Sequence, residues 1–141
     1  MRLVRLVSGK YMVVTPAQDG QPSVVEQFLM HAAPDMQVNA KGMFALFKRY
    51  AMDGRNRFPS GNFHEANKEE RIWEFIKGRL RVYCFVDSSG GLVVLSHGIV
   101  KKTQKADKQE VARALRLKCK YLEAKAAGQI VLTEPDEGYR V

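Results

Sequence analysis

Three short apolar runs, rich in β-branched residues, follow one another in the second half of the chain, and only turns separate them. They cover residues 72–76, 80–86 and 92–100. Gly78 lies between the first two runs, and an Asp-Ser-Ser-Gly-Gly segment lies between the last two. Strands joined by such short turns pair as an antiparallel meander. This stretch therefore constrains the fold more than any other part of the sequence.

The middle run alternates between two kinds of side chain, as expected for a strand with two different faces. One set is apolar and predicts a core face: Leu80, Val82, Cys84 and Val86. The other set predicts a surface with two guanidiniums and a phenol: Arg79, Arg81, Tyr83 and Phe85. The third run leads into a Lys-Lys-Thr-Gln-Lys segment at 101–105. Cations at the face and edge of one small sheet predict a phosphate-binding surface.

The positive charge of the chain is concentrated in the same region. The formal net charge is +8, and residues 68–125 hold 14 Lys and Arg against 7 Asp and Glu. Such clustering favours a polyanionic partner. The alternative interpretation is a basic protein whose charged face is simply solvated.

Length and composition predict one domain over residues 1–141, with a core at about 10–127 and a C-terminal extension at 128–141. Cys84 and Cys119 lie on apolar faces and have no metal-ligand or redox spacing, so both are predicted to be buried, reduced thiols. No apolar run approaches the length of a membrane span, and no signal-peptide pattern is present. We expect a cytoplasmic protein without a membrane partner.

Two helices are predicted before the meander and one after it. Ser23 and Glu26 form a capping-box pattern at the start of the first helix, and the second runs over about 38–52 with Gly54 as its C-cap. Together they predict a helical hairpin on one face of the sheet. The last helix begins after Asp107 and ends near residue 127. Its predicted buried stripe is Val111, Leu115, Cys119, Leu122 and Ala126.

Residues 54–68 are polar and rich in turn formers, which predicts a loop that connects helix and sheet. Arg55, Arg57 and His64 are secondary candidates for ligand contact within it. The chain contains no P-loop, dinucleotide-binding glycine motif, zinc-protease motif or nucleophile elbow. Three histidines and two separated cysteines have no metal-ligand spacing, so neither a metal nor a cofactor is predicted.

Four short motifs of the basic region follow one another at short intervals. They are Ile72-Trp73-Glu74, Arg79-Leu80-Arg81-Val82-Tyr83, Val94-Leu95-Ser96-His97-Gly98 and Lys101-Lys102-Thr103-Gln104-Lys105, and a basic helix follows. The order and spacing resemble the RelE/ParE superfamily of bacterial toxins, specifically its phage-derived, HigB-like branch. The resemblance implies an α+β, RelE-like fold of order β-α-α-β-β-β-α, with a twisted antiparallel sheet, an N-terminal helical hairpin on one face and a C-terminal helix.

The resemblance also implies a function. Its members are toxins of type II toxin–antitoxin systems, partnered by a small antitoxin that is often a helix-turn-helix protein. HigB-like members are endoribonucleases that cleave mRNA on the ribosome, without a metal, by attack of the 2′-OH on the adjacent phosphate. Members of the ParE type poison gyrase instead. A third possibility, from a different class, is a non-enzymatic module of the same fold that binds nucleic acid or protein.

Metal-independent RNA cleavage needs a base, an acid and positive charge on the phosphorane oxygens. Arg81 is the first candidate for phosphate stabilisation, and Lys101 and Lys102 add charge. His97 is a candidate base or acid, or else a structural strand histidine held by hydrogen bonds. The further RNA-binding candidates are Lys77, Arg79, Tyr83 and Lys105.

Overall fold

The computed structural model describes residues 1–59, 61–89, 91–102 and 107–135, except the side chain of Arg57. Their fold is α+β, as predicted. The helices are α1 (Val24–Met30), α2 (Gln37–Asp53) and α3 (Lys108–Ala126). The strands are β1 (Arg2–Ser8), β2 (Met12–Pro16), β3 (Phe63–Asn67), β4 (Ile72–Lys77), β5 (Leu80–Asp87), β6 (Leu92–Val100) and β7 (Val131–Thr133).

The seven strands form one sheet in the order β3-β4-β5-β6-β2-β1-β7. The predicted meander is present, because β4, β5 and β6 pair antiparallel in sequence order. The sheet as a whole is mixed rather than antiparallel, since β2 pairs parallel to β6 and β7 pairs parallel to β1. These contacts join strands that are far apart in sequence. The element order is longer than the expected β-α-α-β-β-β-α: one more strand precedes α1, β3 lies between α2 and the meander, and β7 follows α3.

The helical hairpin of α1 and α2 covers one face of the sheet. Ser23 accepts a hydrogen bond from the backbone N–H of Glu26, and the Glu26 carboxylate accepts one from the N–H of Ser23, which confirms the predicted capping box. Gly54 ends α2 with φ of 70°, a conformation that favours glycine. The hairpin buries Met43 and Phe47 against the sheet.

Helix α3 covers the opposite face, so the sheet is buried on both sides. Leu80, Val82 and Cys84 of β5 face the hairpin, as predicted. Tyr83 and Phe85 face α3 and are each only 2% exposed. The prediction that this second face is an open surface is therefore wrong.

The face that α3 buries also differs from the predicted stripe. Ala114 and Tyr121 are its buried residues, whereas Cys119 is exposed and Leu122 is half exposed. Tyr121 packs on Phe85, with ring centroids 5.4 Å apart. The phenol body of Tyr121 is apolar and its hydroxyl has a partner, so this residue displaces the aliphatic stripe from the interface. Within the described ranges, no helix has the length and apolar character needed to cross a bilayer.

Candidate active site

A row of polar side chains crosses four strands on the face covered by α3. Cross-strand register pairs His64 of β3 with Glu74 of β4, Glu74 with Tyr83 of β5, and Tyr83 with His97 of β6. Directly opposed residues on neighbouring strands have their Cβ atoms about 5 Å apart. The row therefore places an imidazole, a carboxylate, a phenol and a second imidazole side by side.

His64 and Glu74 form the closest pair of the row. The His64 Nε2 atom lies 2.8 Å from Oε1 of Glu74, whose side chain is 4% exposed, while that of His64 is 44% exposed. The second carboxylate oxygen of Glu74 is buried and has no hydrogen-bond partner among the described atoms. A buried carboxylate that holds a partly exposed imidazole fixes the orientation of the ring.

His97 is fully buried and stacks on Tyr83, with ring centroids 5.4 Å apart and an interplanar angle of 15°. Its Nδ1 atom is 2.8 Å from Oγ of Ser96. Burial, together with the charge of Arg113, lowers the pKa of His97 to about 4. The 3.3 Å contact between its Nε2 and Oε1 of Glu110 therefore joins a neutral imidazole to a carboxylate.

These contacts favour the structural interpretation of His97. The ring has no exposed surface, and it is not among the residues that line the neighbouring cleft. A group that exchanges protons with a substrate must come within hydrogen-bond reach of it. His97 instead supports Tyr83 from the side.

An open cleft of about 490 Å³ lies beside this row, between the start of α3 and strands β3 to β5. The side chains that bring chemistry to it are His64, Glu74, Arg81, Tyr83, Lys101 and Asp107. Proton-transfer groups and two cations thus share one concave surface. A cleft with convergent polar groups of this kind is the preferred location for a binding or catalytic site.

Arg81 is held by its own backbone surroundings. Its Nη1 donates to the carbonyl oxygens of Gly78 at 2.7 Å and Leu80 at 3.0 Å. Its Nε is buried and has no acceptor within the described part of the chain. The backbone N–H of Lys101 donates to the Arg79 carbonyl at 2.7 Å, which fixes the exit of β6 next to Arg81. Of the predicted group of Arg81, Lys101 and Lys102, the first two line the same cleft.

The other predicted cations are placed elsewhere. Lys102 is exposed and does not line the cleft. Lys77 lies on the hairpin face, where its side chain packs over Gly42 of α2. Arg79 belongs to the turn before β5 and lies 3.7 Å from Asp35, at the end of the hairpin. The prediction that Arg79 and Arg81 share a face is therefore wrong, because the turn carries Arg79 to the opposite side of the sheet.

Two further predicted residues have different outcomes. Tyr83 does line the cleft, but as a buried wall rather than as an exposed stacking surface. Its pKa is raised, first by burial and then by the negative charges of Glu74 and Asp107, so its hydroxyl remains a hydrogen-bond donor. Lys105 lies outside the described residues.

The contribution of His64 is what the sequence interpretation underestimated. Residues 54–68 were expected to form a loop, yet Phe63–Asn67 form the edge strand β3. The strand pairs through a register irregularity between Glu65 and Asn67. A Phe-His-Glu-Ala stretch is a weak strand signal, and only the pairing with β4 brings His64 beside Glu74.

The family described as "Phage derived protein Gp49-like (DUF891)" matches residues 30–118, well over half of the chain. The chain belongs to this Gp49-like family. The family is linked to toxins of toxin–antitoxin systems. The match includes all the described residues that line the cleft of this Gp49-like protein. A search of curated proteins gives no match.

Across the described residues of the Gp49-like chain, no group of three His, Cys, Asp or Glu side chains is arranged to hold a metal ion. The cleft instead combines a His–Glu pair, a protonated phenol, a guanidinium and an ammonium. Such a set can move protons and neutralise developing negative charge on an oxyanion.

Proposed function

We propose that this Gp49-like protein is the toxin of a type II toxin–antitoxin system and that it cleaves mRNA on the ribosome. The Gp49-like family membership and the resemblance of residues 72–105 to the RelE/ParE superfamily, HigB-like branch, support the toxin assignment. The observation that carries the enzymatic part is the cleft in which the His64–Glu74 pair faces Arg81 and Lys101.

The proposed reaction is attack of a ribose 2′-OH on the adjacent phosphate, which expels the 5′-oxygen of the next nucleotide. His64, oriented by Glu74, takes the proton from the 2′-OH. Arg81 and Lys101 neutralise the charge that builds on the non-bridging oxygens, and Arg81 is already immobilised by two carbonyls. Pre-positioned donors of this type lose little energy to reorganisation during the reaction.

Tyr83 is the proposed proton donor to the leaving 5′-oxygen. Its raised pKa keeps the hydroxyl protonated, and Tyr83 lines the cleft although the residue is only 2% exposed. A phenol is a weak acid at neutral pH, so we assign the rest of the rate enhancement to alignment of the message by the ribosome. Alignment of reacting groups alone can lower a barrier by several kcal/mol.

The partners proposed for this activity are an mRNA bound to the ribosome and a cognate antitoxin, which we expect to be a helix-turn-helix protein. The antitoxin would have to cover the cleft or block access to the ribosome. A small open reading frame beside the gene, whose product restores growth when both are expressed, is the expected genetic arrangement.

A matched pair of arginine variants tests the proposal. Arg81→Gln and Arg79→Gln change the same residue type two positions apart, but only Arg81 lines the cleft. After induction in bacterial cells, we expect new transcript 5′ ends and growth arrest with the wild type and with Arg79→Gln. Arg81→Gln is expected to lose both effects at equal protein level and equal Tm.

The same experiment distinguishes the alternatives. Arrest by the wild type with intact transcripts and broken chromosomal DNA would indicate gyrase poisoning and overturn the nuclease proposal. RNA binding without cleavage on or off the ribosome would indicate a non-enzymatic module. Equal transcript cleavage by the two arginine variants would show that the cleft does not take part in RNA cleavage.

A further inference from the structure

A second cleft, of about 650 Å³, lies at the opposite end of the sheet from the candidate active site. Three cations, Arg55, Arg71 and Lys118, line it together with the aromatic rings of Tyr11 and Trp73. No carboxylate side chain is present among the described residues that line it. The cleft at the active site, in contrast, contains two, Glu74 and Asp107.

The cations of this cleft are anchored by the fold. The Arg55 guanidinium lies 5.1 Å from the centroid of the Trp73 ring, and that ring stacks on Phe63 at 4.9 Å. The Lys118 Nζ donates a 2.7 Å hydrogen bond to the carbonyl oxygen of Glu70. Cation–π contacts and backbone hydrogen bonds reduce the side-chain freedom that a bound anion would otherwise have to restrict.

Arg71 is held by an unusual backbone conformation. It has φ of 55°, and among the described residues it is the single non-glycine position with a positive φ. It ends the turn between β3 and β4, in which the Asn67 side chain accepts a hydrogen bond from the N–H of Glu70. A residue with a side chain is strained in this left-handed conformation, which glycine adopts without strain.

Helix α3 connects the two clefts. Val111 lines the active-site cleft and Lys118 lines the second one. Seven residues are nearly two helical turns, so both side chains lie on the same side of α3, separated by about 10 Å along its axis. That side of the helix lies along the β3–β4 hairpin, as the contact between Lys118 and Glu70 shows. Helix α3 thus contributes one residue to each cleft, although Trp73 and Val86 place much of the second cleft on the face that the α1–α2 hairpin covers.

We propose that the second cleft binds the same RNA strand whose scissile phosphate lies at Arg81, and so holds a flanking phosphate and its base. This inference rests on the proposed function. Three cations without a carboxylate suit a phosphodiester, and Tyr11, 40% exposed at the rim, offers an aromatic surface to a base. A strand that occupies both clefts would be held in register for cleavage.

The test measures binding of the full chain to a single-stranded RNA oligonucleotide with 2′-O-methyl groups, which cannot be cleaved by 2′-OH attack. Fluorescence anisotropy over a range of salt concentrations gives the affinity and its salt dependence. The cleft variant is Arg55→Gln with Lys118→Gln. The matched control is Lys41→Gln with Lys120→Gln, which removes the same charge from exposed positions that line neither cleft.

We expect the cleft variant to bind RNA roughly tenfold more weakly at low salt and to reduce the salt slope by about 1.4, the value for two phosphate contacts with a single strand. The control is expected to change affinity less than twofold. Equal losses in both variants, or no binding by the wild type, would overturn the inference. Equally tight binding of adenosine monophosphate would also overturn it, because the ligand would then be a free nucleotide.

Failure of this inference is distinguishable from failure of the proposed function. If the wild type leaves transcripts intact but its RNA binding depends on Arg55 and Lys118, RNA binding at the second cleft would be supported. The nuclease proposal would then be rejected. If the wild type cleaves transcripts, and the cleft variant binds and cleaves RNA as the control does, the nuclease proposal would be supported. RNA binding at the second cleft would then be rejected.

Discussion

The hydroxyl of Tyr121 donates a 2.5 Å hydrogen bond to Oδ2 of Asp87, and so joins the last turns of α3 to the end of β5. Lys125 and Ser89 bind the same carboxylate, each at 2.7 Å. Helix α3 and strand β5 both contribute residues to the candidate active-site cleft, so this junction holds two of its elements together. The hydrogen bonds to Asp87 therefore stabilise the fold at a position outside the candidate active site.

Asp87→Asn is expected to lower the free energy of unfolding by about 2 kcal/mol at pH 7, because hydrogen bonds to a charged group are lost. Those hydrogen bonds hold the pKa of Asp87 below its ordinary value of about 3.9. The stabilisation is thus present above pH 4 and disappears as the pH falls further. Urea unfolding at pH 7 and at pH 3 measures it: the gap between wild type and variant should be smaller at pH 3, and a gap of the same size at both pH values would contradict the assignment.

His97 predicts a second, separate dependence on pH. Its folded-state pKa of about 4 is below the unfolded value of about 6.5, so the unfolded chain binds more protons between these limits. Stability should therefore decrease as the pH falls from 6.5 to 4, by up to about 3 kcal/mol. In His97→Gln, which cannot be protonated, unfolding measured in urea across this range should lose that slope. An unchanged slope would show that another group is responsible.

His64→Gln is expected to reduce mRNA cleavage by about 10²–10⁴-fold, the usual contribution of a proton-transfer group. His64 is partly exposed at the sheet edge, so the Tm should change little. His31→Gln is the control, because His31 is exposed at the end of α1 and lines none of the clefts described. Cleavage rates from transcript 5′-end mapping would separate the two; equal rates would remove His64 from the reaction.

Arg71→Gly is expected to have opposite effects on stability and binding. Relief of the left-handed backbone should raise the free energy of unfolding by about 1 kcal/mol, measured by urea denaturation. Loss of the guanidinium should weaken binding of the 2′-O-methyl oligonucleotide severalfold. A variant that is more stable and binds RNA as the wild type does would show that the cation is not used.

Part of the fold is readable from local patterns. Gly78 and the Ser-Ser-Gly-Gly segment define the turns of the meander, and the Ser23 capping box marks the start of α1. Alternation along β5 correctly assigned Leu80, Val82 and Cys84 to a core face. The same alternation could not show that Tyr83 is also covered, because a residue with an apolar body and a polar end fits either a surface or an interface.

The candidate active site shows the same limit of prediction from strand alternation. Strict alternation along β6 would place His97 on the face of Leu95, toward the hairpin. A register irregularity next to Ser96 instead turns His97 to the α3 face, opposite Tyr83. Bulges of this kind reverse the faces of all later residues, and the surrounding sequence has no strong signal for them.

Local patterns in the sequence were enough to predict the meander, the helical hairpin, the capping box of α1 and the approximate bounds of α2 and α3. These features depend on neighbours a few residues apart, where side-chain periodicity and turn chemistry act directly. The partners of β2, β3 and β7, the buried side of α3 and the contact between His64 and Glu74 became visible only in the three-dimensional structure. Those contacts join distant segments, and their energies depend on which surface each segment finds to cover.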